Sequence, residues 1–240
     1  MIANPQSGTN VVEIADATYR INTPVEIEGA SASRSTSTLA SEEPLLFHTG
    51  PRKLFPLVRE AVASVLGGRE QLRWVAFLSR KRTKCGPERL AQGGAATVPL
   101  CGAIAAMVSI GDLADREPRA LADGRRCPWA STRCAGSTPH LPHAWECGYL
   151  MVDTTGTLPA AISSPRAAPT SPAVTESDIL GPSEEFRLQM DYQHSKNAPA
   201  LIERLAAAKP TTLAHARSAW RRRREAPPRA RGRSPASSTR

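Results

Sequence analysis

The sequence has few aromatic residues, at 5% of 240, and only 40% of its residues are hydrophobic. Both fractions are low for one packed domain of this length. Its longest apolar stretch, residues 98–110, is too short and too interrupted to cross a bilayer. No basic-then-apolar signal pattern opens the chain either. We therefore expect no membrane association and expect part of the chain to lie outside a packed core.

Cysteine pairs with the spacing of a metal or redox motif are also missing. The five cysteines never form C-x-x-C, and their number is odd. A disulfide framework is therefore not expected, and a reducing, cytoplasmic location is favoured.

Acidic residues are scarce at one end of the chain. Residues 217–240 contain nine arginines and one acid, Glu225, so this tail carries +8 of the total +9. Basic tails bind nucleic acid or anionic surfaces in many proteins. Here the arginines are accompanied by neither a recognition motif nor aromatic residues beyond Trp220. Nucleic acid is therefore not the partner we expect, although a basic-tailed, nucleic-acid-associated protein is one alternative.

Hydrophobic patterns elsewhere alternate between strand-like and helix-like. Strands are predicted at 11–14, 18–21, 44–48, 73–77, 98–101, 147–152, 157–158 and 211–214. Helices are predicted at 54–66, 103–112, 183–190 and 200–208. This alternation favours the α/β class.

Several windows have neither period. They are 30–41, 79–84, 125–138, 159–172 and 221–240. We expect a disordered N-terminus at 1–10, one domain at 11–220 and a disordered Arg/Pro-rich tail at 221–240. Missing strands at 30–41 and 125–138 would leave sheet edges unpaired, so the fold is expected to be partly degraded and marginally stable.

Segment 139–148, PHLPHAWECG, places Glu146 three residues after His143, just before a predicted hairpin. It resembles the third metal-ligand region of flavodiiron-type metallo-β-lactamase domains. The flanking stretches PVEIEG, EPLLFHTGPRKL, WVAF and PTTLA follow in the order of that fold. The resemblance implies a metallo-β-lactamase-like αββα sandwich over most of residues 11–220.

The same resemblance implies a chemistry. In that family, two iron ions are held by an H-x-E-x-D run, a third histidine, an aspartate after a strand and a last histidine. The site binds oxygen or reduces dioxygen or nitric oxide. The electrons come from a flavin or rubredoxin-type donor, which we expect to be a separate chain because no flavodoxin-like extension is present.

Most of these ligands are absent. Ser79, Lys81 and Thr83 stand where the H-x-E-x-D run is expected, and Ile162 stands where the aspartate is expected. His215 lies about one position from the last histidine. The remaining metal-ligand candidates are His143 and, more weakly, His215, with Glu146 as a group that hydrogen-bonds a ligand. His48, His140 and His194 are interpreted as structural or solvent-facing.

One histidine cannot hold two metals. We therefore expect no catalytic residues and no activity as written. A metal-free module or a mononuclear zinc hydrolase on the same fold is the alternative.

The mixture of patterned and unpatterned windows suggests frame slips or gene decay. Residues 161–165 can be encoded GCG ATC TCT TCA CCN. After a preceding G and read one base earlier, this gives Gly-Asp-Leu-Phe-Thr, which restores an aspartate. Readings of 81–84 and 126–138 one base earlier similarly yield an acidic run and a strand-like VRWLD, whereas a reading of 215–217 one base later yields a histidine. The opposing hypothesis is a natural, divergent protein with low-complexity loops.

Overall fold

The computed structural model describes residues 1–27, 30–39, 42–67, 72–77, 94–122, 124, 132–138, 147–160, 174–175, 198–215 and 219–221. These residues form two β-sheets, with helices on the outer faces. The strands are β1 (Ile2–Asn4), β2 (Thr9–Ala15), β3 (Thr18–Ile27), β4 (Ala30–Leu39), β5 (Leu45–Phe47), β6 (Trp74–Phe77), β7 (Val98–Gly102), β8 (Arg119–Leu121), β9 (Thr132–Thr138), β10 (Cys147–Val152), β11 (Thr157–Ala160), β12 (Val174–Thr175), β13 (Thr212–His215) and β14 (Ala219–Arg221).

The first sheet has eight strands in sequence order, β1 to β8. Strands β1 to β5 pair antiparallel, and β5 to β8 pair parallel. The second sheet has the order β12-β14-β13-β11-β10-β9. In it β11 and β13 run parallel, whereas β9, β10 and β11 form an antiparallel meander.

The helices follow the predicted apolar faces. Helix α1 (Phe55–Leu66) has proline in its first turn and ends at Gly67, whose φ of 70° closes it as a left-handed C-cap. Helix α2 (103–113) consists of Ala103–Ala105, a π-helical stretch Ala106–Ile110 and Gly111–Leu113. Helix α3 is Ala198–Ala207. Among the described residues, no helix combines the length and apolarity needed to cross a bilayer.

Side chains from the two sheets meet in a shared core. Leu150 and Val152 of the second sheet pack with residues of the first sheet, namely Leu45, Phe47, Trp74, Ala76, Leu100 and Leu121. Ile14 and Ala214 make a second contact between the sheets. The interior is therefore that of a sheet-on-sheet sandwich.

Each sheet buries its outer face under helices. On the first sheet, α1 and α2 cover residues that include Ile21, Leu46 and Phe77. On the second sheet, Leu205 of α3 packs on Tyr149, Met151 and Leu158. The layer order is αββα, which confirms the predicted fold class.

Three expectations about unpatterned segments differ from the structure. Residues 1–10 were expected to be disordered, but β1 pairs with β2, and the Met1 amino group donates to the Val11 carbonyl at 2.9 Å. Window 30–41 contains β4, which is paired along its whole length with β3. Window 125–138 contains β9, which is paired with β10. Pairing with a patterned neighbour thus supplies strands that the segments' own side chains do not predict.

The other windows lie largely outside the described residues. These include 79–84, 161–172 and the predicted helix at 183–190. Residue 221, assigned to the tail, belongs to β14, so the strand predicted at 211–214 is followed by one more.

Candidate functional site

Parallel strands end together at one edge in each sheet. In the first sheet, Phe47 pairs with Ala76 and Phe77 pairs with Cys101, so β5, β6 and β7 share a carboxyl edge. In the second, Ala160 pairs with His215 at the shared end of β11 and β13. Ligands of α/β sheets bind outside the carboxyl ends of strands. We call these two places the strand-end edges.

His48 occupies the first strand-end edge, immediately after β5. It is buried, and its ring centroid lies 4.4 Å from that of Phe47, at an interplanar angle of 66°. Its backbone N–H donates to the carbonyl of Ala76 at 3.0 Å, and its φ is 62°. A non-glycine residue in this left-handed region costs about 1–3 kcal/mol. The surrounding structure therefore holds the backbone of His48 in this conformation.

The turn after His48 leads into α1. Thr49 is fully buried, and its Oγ1 donates to the Gly50 carbonyl at 3.2 Å. Gly50 has a φ of 70°, and a Cβ placed there would lie 3.8 Å from Val58 Cγ2. The turn is thus close-packed against the helix and positions hydroxyl, amide and imidazole groups only.

Arg20 is a buried cation that sequence reasoning did not single out. It lies in β3 with 4% exposure, opposite Val12 and residue 37 of β4. Residue 37 in turn pairs with Phe47. Because opposed residues lie on one face, Arg20 lies on the face that meets the second sheet. Burial lowers the pKa of its guanidinium from its ordinary value to about 10. The signal available in the sequence was the alternation TYRINT, which puts Arg20 and Asn22 on one face of a strand.

The predicted ligand residues are mostly outside the described part of the chain. His143 and Glu146 lie there, as do His140 and His194. His215 is the last residue of β13. The structure therefore brings one predicted ligand, His215, to a strand-end edge, and the roles of His143 and Glu146 stay predictions.

Within the described residues, no three His, Cys, Asp or Glu side chains come together in a way that could hold a metal ion. Cys101, the free thiol described, is buried in the core beside α2.

An αββα sandwich with this strand order defines a class: it is the metallo-β-lactamase fold. Within that class the chain is similar to the Flv1 flavodiiron core from Synechocystis sp. PCC6803, with a TM-score of 0.74 and 10% identity. That alignment covers 89% of this chain and 57% of the other, so the chain spans little more than half of that protein's length.

Two further solved structures show the range of the likeness. The chemotaxis sensor ODP from T. denticola aligns with a TM-score of 0.63 and 14% identity, over 89% of this chain and 88% of that one. The metallo-β-lactamase FIM-1 from Pseudomonas aeruginosa, in its mono-zinc form, gives 0.59 and 13%, over 88% of each chain. No protein-family model and no curated protein sequence matches. Identities this low establish the fold alone.

The residues that follow β6 and β11 in the sequence do not fit a two-iron site. Iron needs several imidazole and carboxylate donors converging on one point. After β6 the sequence continues with Leu78 and Ser79 and then the cations Arg80–Arg82; after β11 it continues with Ala161 and Ile162. Cations and apolar side chains cannot ligate iron, so these stretches of the chain do not supply the ligands of a two-iron site.

Proposed function

We propose that this chain is a metal-free derivative of a di-iron oxygen-binding or redox domain, and that it has no oxygen chemistry as written. The single observation that carries the proposal is the composition of the strand ends. The fold is retained, but the positions that follow β6 and β11 carry no donor set for a metal.

The charges that follow β6 in the sequence support this proposal. Arg80, Lys81 and Arg82 follow β6 within five residues of its end at Phe77. At an effective dielectric constant of 20, a cation 4 Å from a like charge costs about 4 kcal/mol per unit charge. A divalent ion in this region would therefore be repelled, where the family motif would attract it.

Three acids near the ends of these sheets do not compensate for these cations. Asp153 lies in the turn between β10 and β11, at the opposite end of β11 from Ala160. Asp112 and Asp115 lie in and after α2. Carboxylates at those places lie outside both strand-end edges.

A module of this kind can still bind partners through its folded surface. The flavodiiron resemblance suggests a separate flavin or rubredoxin-type donor as the ancestral partner. Without iron there is no acceptor for the electrons of such a donor. We therefore propose that any remaining role is binding rather than electron transfer.

Iron analysis tests the proposal. The chain is purified, incubated anaerobically with Fe(II), desalted, and its iron per chain is measured together with oxygen uptake. We expect far less than one iron per chain and no oxygen uptake above the buffer blank. Close to two irons per chain, bound tightly enough to survive desalting, would refute it.

A mononuclear zinc hydrolase-like module is the second candidate, because one structural neighbour is a metallo-β-lactamase solved in a mono-zinc form and because His143 and His215 supply two imidazoles. The same protocol with Zn(II) separates the two. One zinc per chain that is lost in both His143→Ala and His215→Ala, but kept in His194→Ala, would establish the zinc module and displace the metal-free one.

A further inference from the structure

The amino-acid composition of strand β4 is unusual for its place in the sheet. The strand lies between β3 and β5 in the eight-stranded sheet, paired with β3 along its length and with β5 at residues 37–39. Interior strands of a sandwich carry apolar residues on the face toward the other sheet. The ten residues ASASRSTSTL contain four serines, two threonines and an arginine.

The serines fall in one register. Residues 31, 33, 35 and 37 pair with Glu26, Pro24, Asn22 and Arg20 of β3. Residue 37 also pairs with Phe47, which belongs to the core between the sheets. The four serine positions therefore share the sheet face that is directed at the second sheet; on β3 this face is buried at Arg20 and Asn22 and exposed at Pro24.

Serine codons of the TCN type are related, by a shift of one base, to codons for the apolar residues that a core-facing register requires. A TCN serine codon, read one base earlier, becomes NTC, which encodes Phe, Leu, Ile or Val whatever the first base is. The alternate positions 32, 34 and 36, if encoded GCN, CGN and ACN, become NGC, NCG and NAC. These codons encode small or polar residues, plus Tyr, Cys and His. A uniform shift of one base thus turns β4 into strict apolar/polar alternation, with the apolar residues on the interior register.

The same shift acts consistently on three other windows. Cys134 pairs with the fully buried Leu150, and its codon becomes NTG, which encodes Leu, Met or Val. Ile162, two residues after β11, becomes NAT, which is Tyr, His, Asn or Asp. The codon of Lys81 becomes NAA, which encodes Glu, Gln or Lys or is a stop. The codon of Thr83, if ACN, becomes NAC, which encodes Tyr, His, Asn or Asp.

We infer that these four windows (30–41, 79–84, 125–138 and 159–172) are encoded one base out of the reading frame that originally encoded this fold. All four are displaced in the same direction. The inference about β4 and residue 134 rests on register and core packing alone. The inference about residues 81, 83 and 162, which would regain ligand-type side chains after β6 and β11, also rests on the proposed function.

The coding DNA tests this directly. We expect TCN codons at Ser33 and Ser35, no stop in the earlier frame within the windows, and an aspartate or histidine codon at 162 in that frame. AGY codons at both serines, or a stop within 31–37, would overturn the inference. A tyrosine or asparagine codon at 162 would overturn its metal-ligand part and leave the part about β4 standing.

A matched pair of variants tests the same inference on the protein. Ser35→Val/Ser37→Val adds two apolar side chains opposite the buried Asn22 and Arg20, whereas Ser31→Val/Ser33→Val adds two opposite Glu26 and the exposed Pro24. We expect the first pair to raise Tm by roughly 5–10 °C and the second pair to raise it by much less. Equal shifts, or a lower Tm for the first pair, would contradict the inference that positions 35 and 37 once carried core side chains. Iron found in the unmodified chain would refute the proposed function without changing either result.

Discussion

Leu150 provides a sharp test of the sandwich. Its side chain has no exposed surface and lies among Leu45, Phe47, Trp74 and Leu100 of the facing sheet. Truncation to alanine removes buried methyl groups and leaves a cavity that two packed sheets cannot close. We expect Leu150→Ala to lower the free energy of unfolding by about 3 kcal/mol.

Urea titration followed by tryptophan fluorescence measures this change, since Trp74 lies in the same core. With a slope of about 2–3 kcal/mol/M for a chain of this size, the midpoint should fall by about 1 M. Ile202→Ala is the control, because Ile202 on α3 is 62% exposed and its truncation should change stability by less than about 0.5 kcal/mol.

If Leu150→Ala does not fold, Leu150→Val gives a milder version, with an expected loss of about 1 kcal/mol. A midpoint that is the same in Leu150→Ala, Ile202→Ala and the unmodified chain would refute the packing of one sheet on the other. The αββα assignment would fall with it.

Three further predictions follow from local contacts and from the tail. Gly156→Ala should destabilise the protein by about 1–3 kcal/mol, measured by thermal melting, because Gly156 has a φ of 64° and its new Cβ would lie 2.5 Å from Thr211 Oγ1; an unchanged Tm would contradict this. Arg116→Ala should cost about 1–3 kcal/mol, since its guanidinium donates to the carbonyls of Gly94, Ala95 and Thr97; Lys53→Ala, at an exposed position, is the control. Deleting 222–240, which leaves β14 intact, should not alter a nucleic-acid gel shift at physiological salt. A salt-dependent shift lost on deletion would instead support the nucleic-acid alternative.

The patterned half of the fold was predictable from the sequence. The apolar run at 44–48 contains β5, the stretch 73–77 contains β6, and the hairpin predicted at 147–158 forms as β10 and β11. These elements carry their own signal because their side chains fill the core. Helix α1 was equally predictable, since one apolar face and a terminating glycine mark it.

Strands β1, β4 and β9 were not predictable by the same method. Their residues lack apolar alternation, and their conformation comes from pairing with β2, β3 and β10. Tertiary context decides such segments, so a reading of local pattern assigns them to loops. The candidate site fared differently: the sequence identifies the missing donors after β6 and β11, but it gives no hint that His48 is buried in a left-handed turn.

The eight-stranded sheet finishes on both sides in very short strands, β1 and β8, of three residues each. Few backbone groups are therefore offered for templating by a neighbouring molecule. Fibrils or ladders that grow from folded chains in a concentrated preparation would accordingly have to use the other sheet, whose edge strand β9 has seven residues.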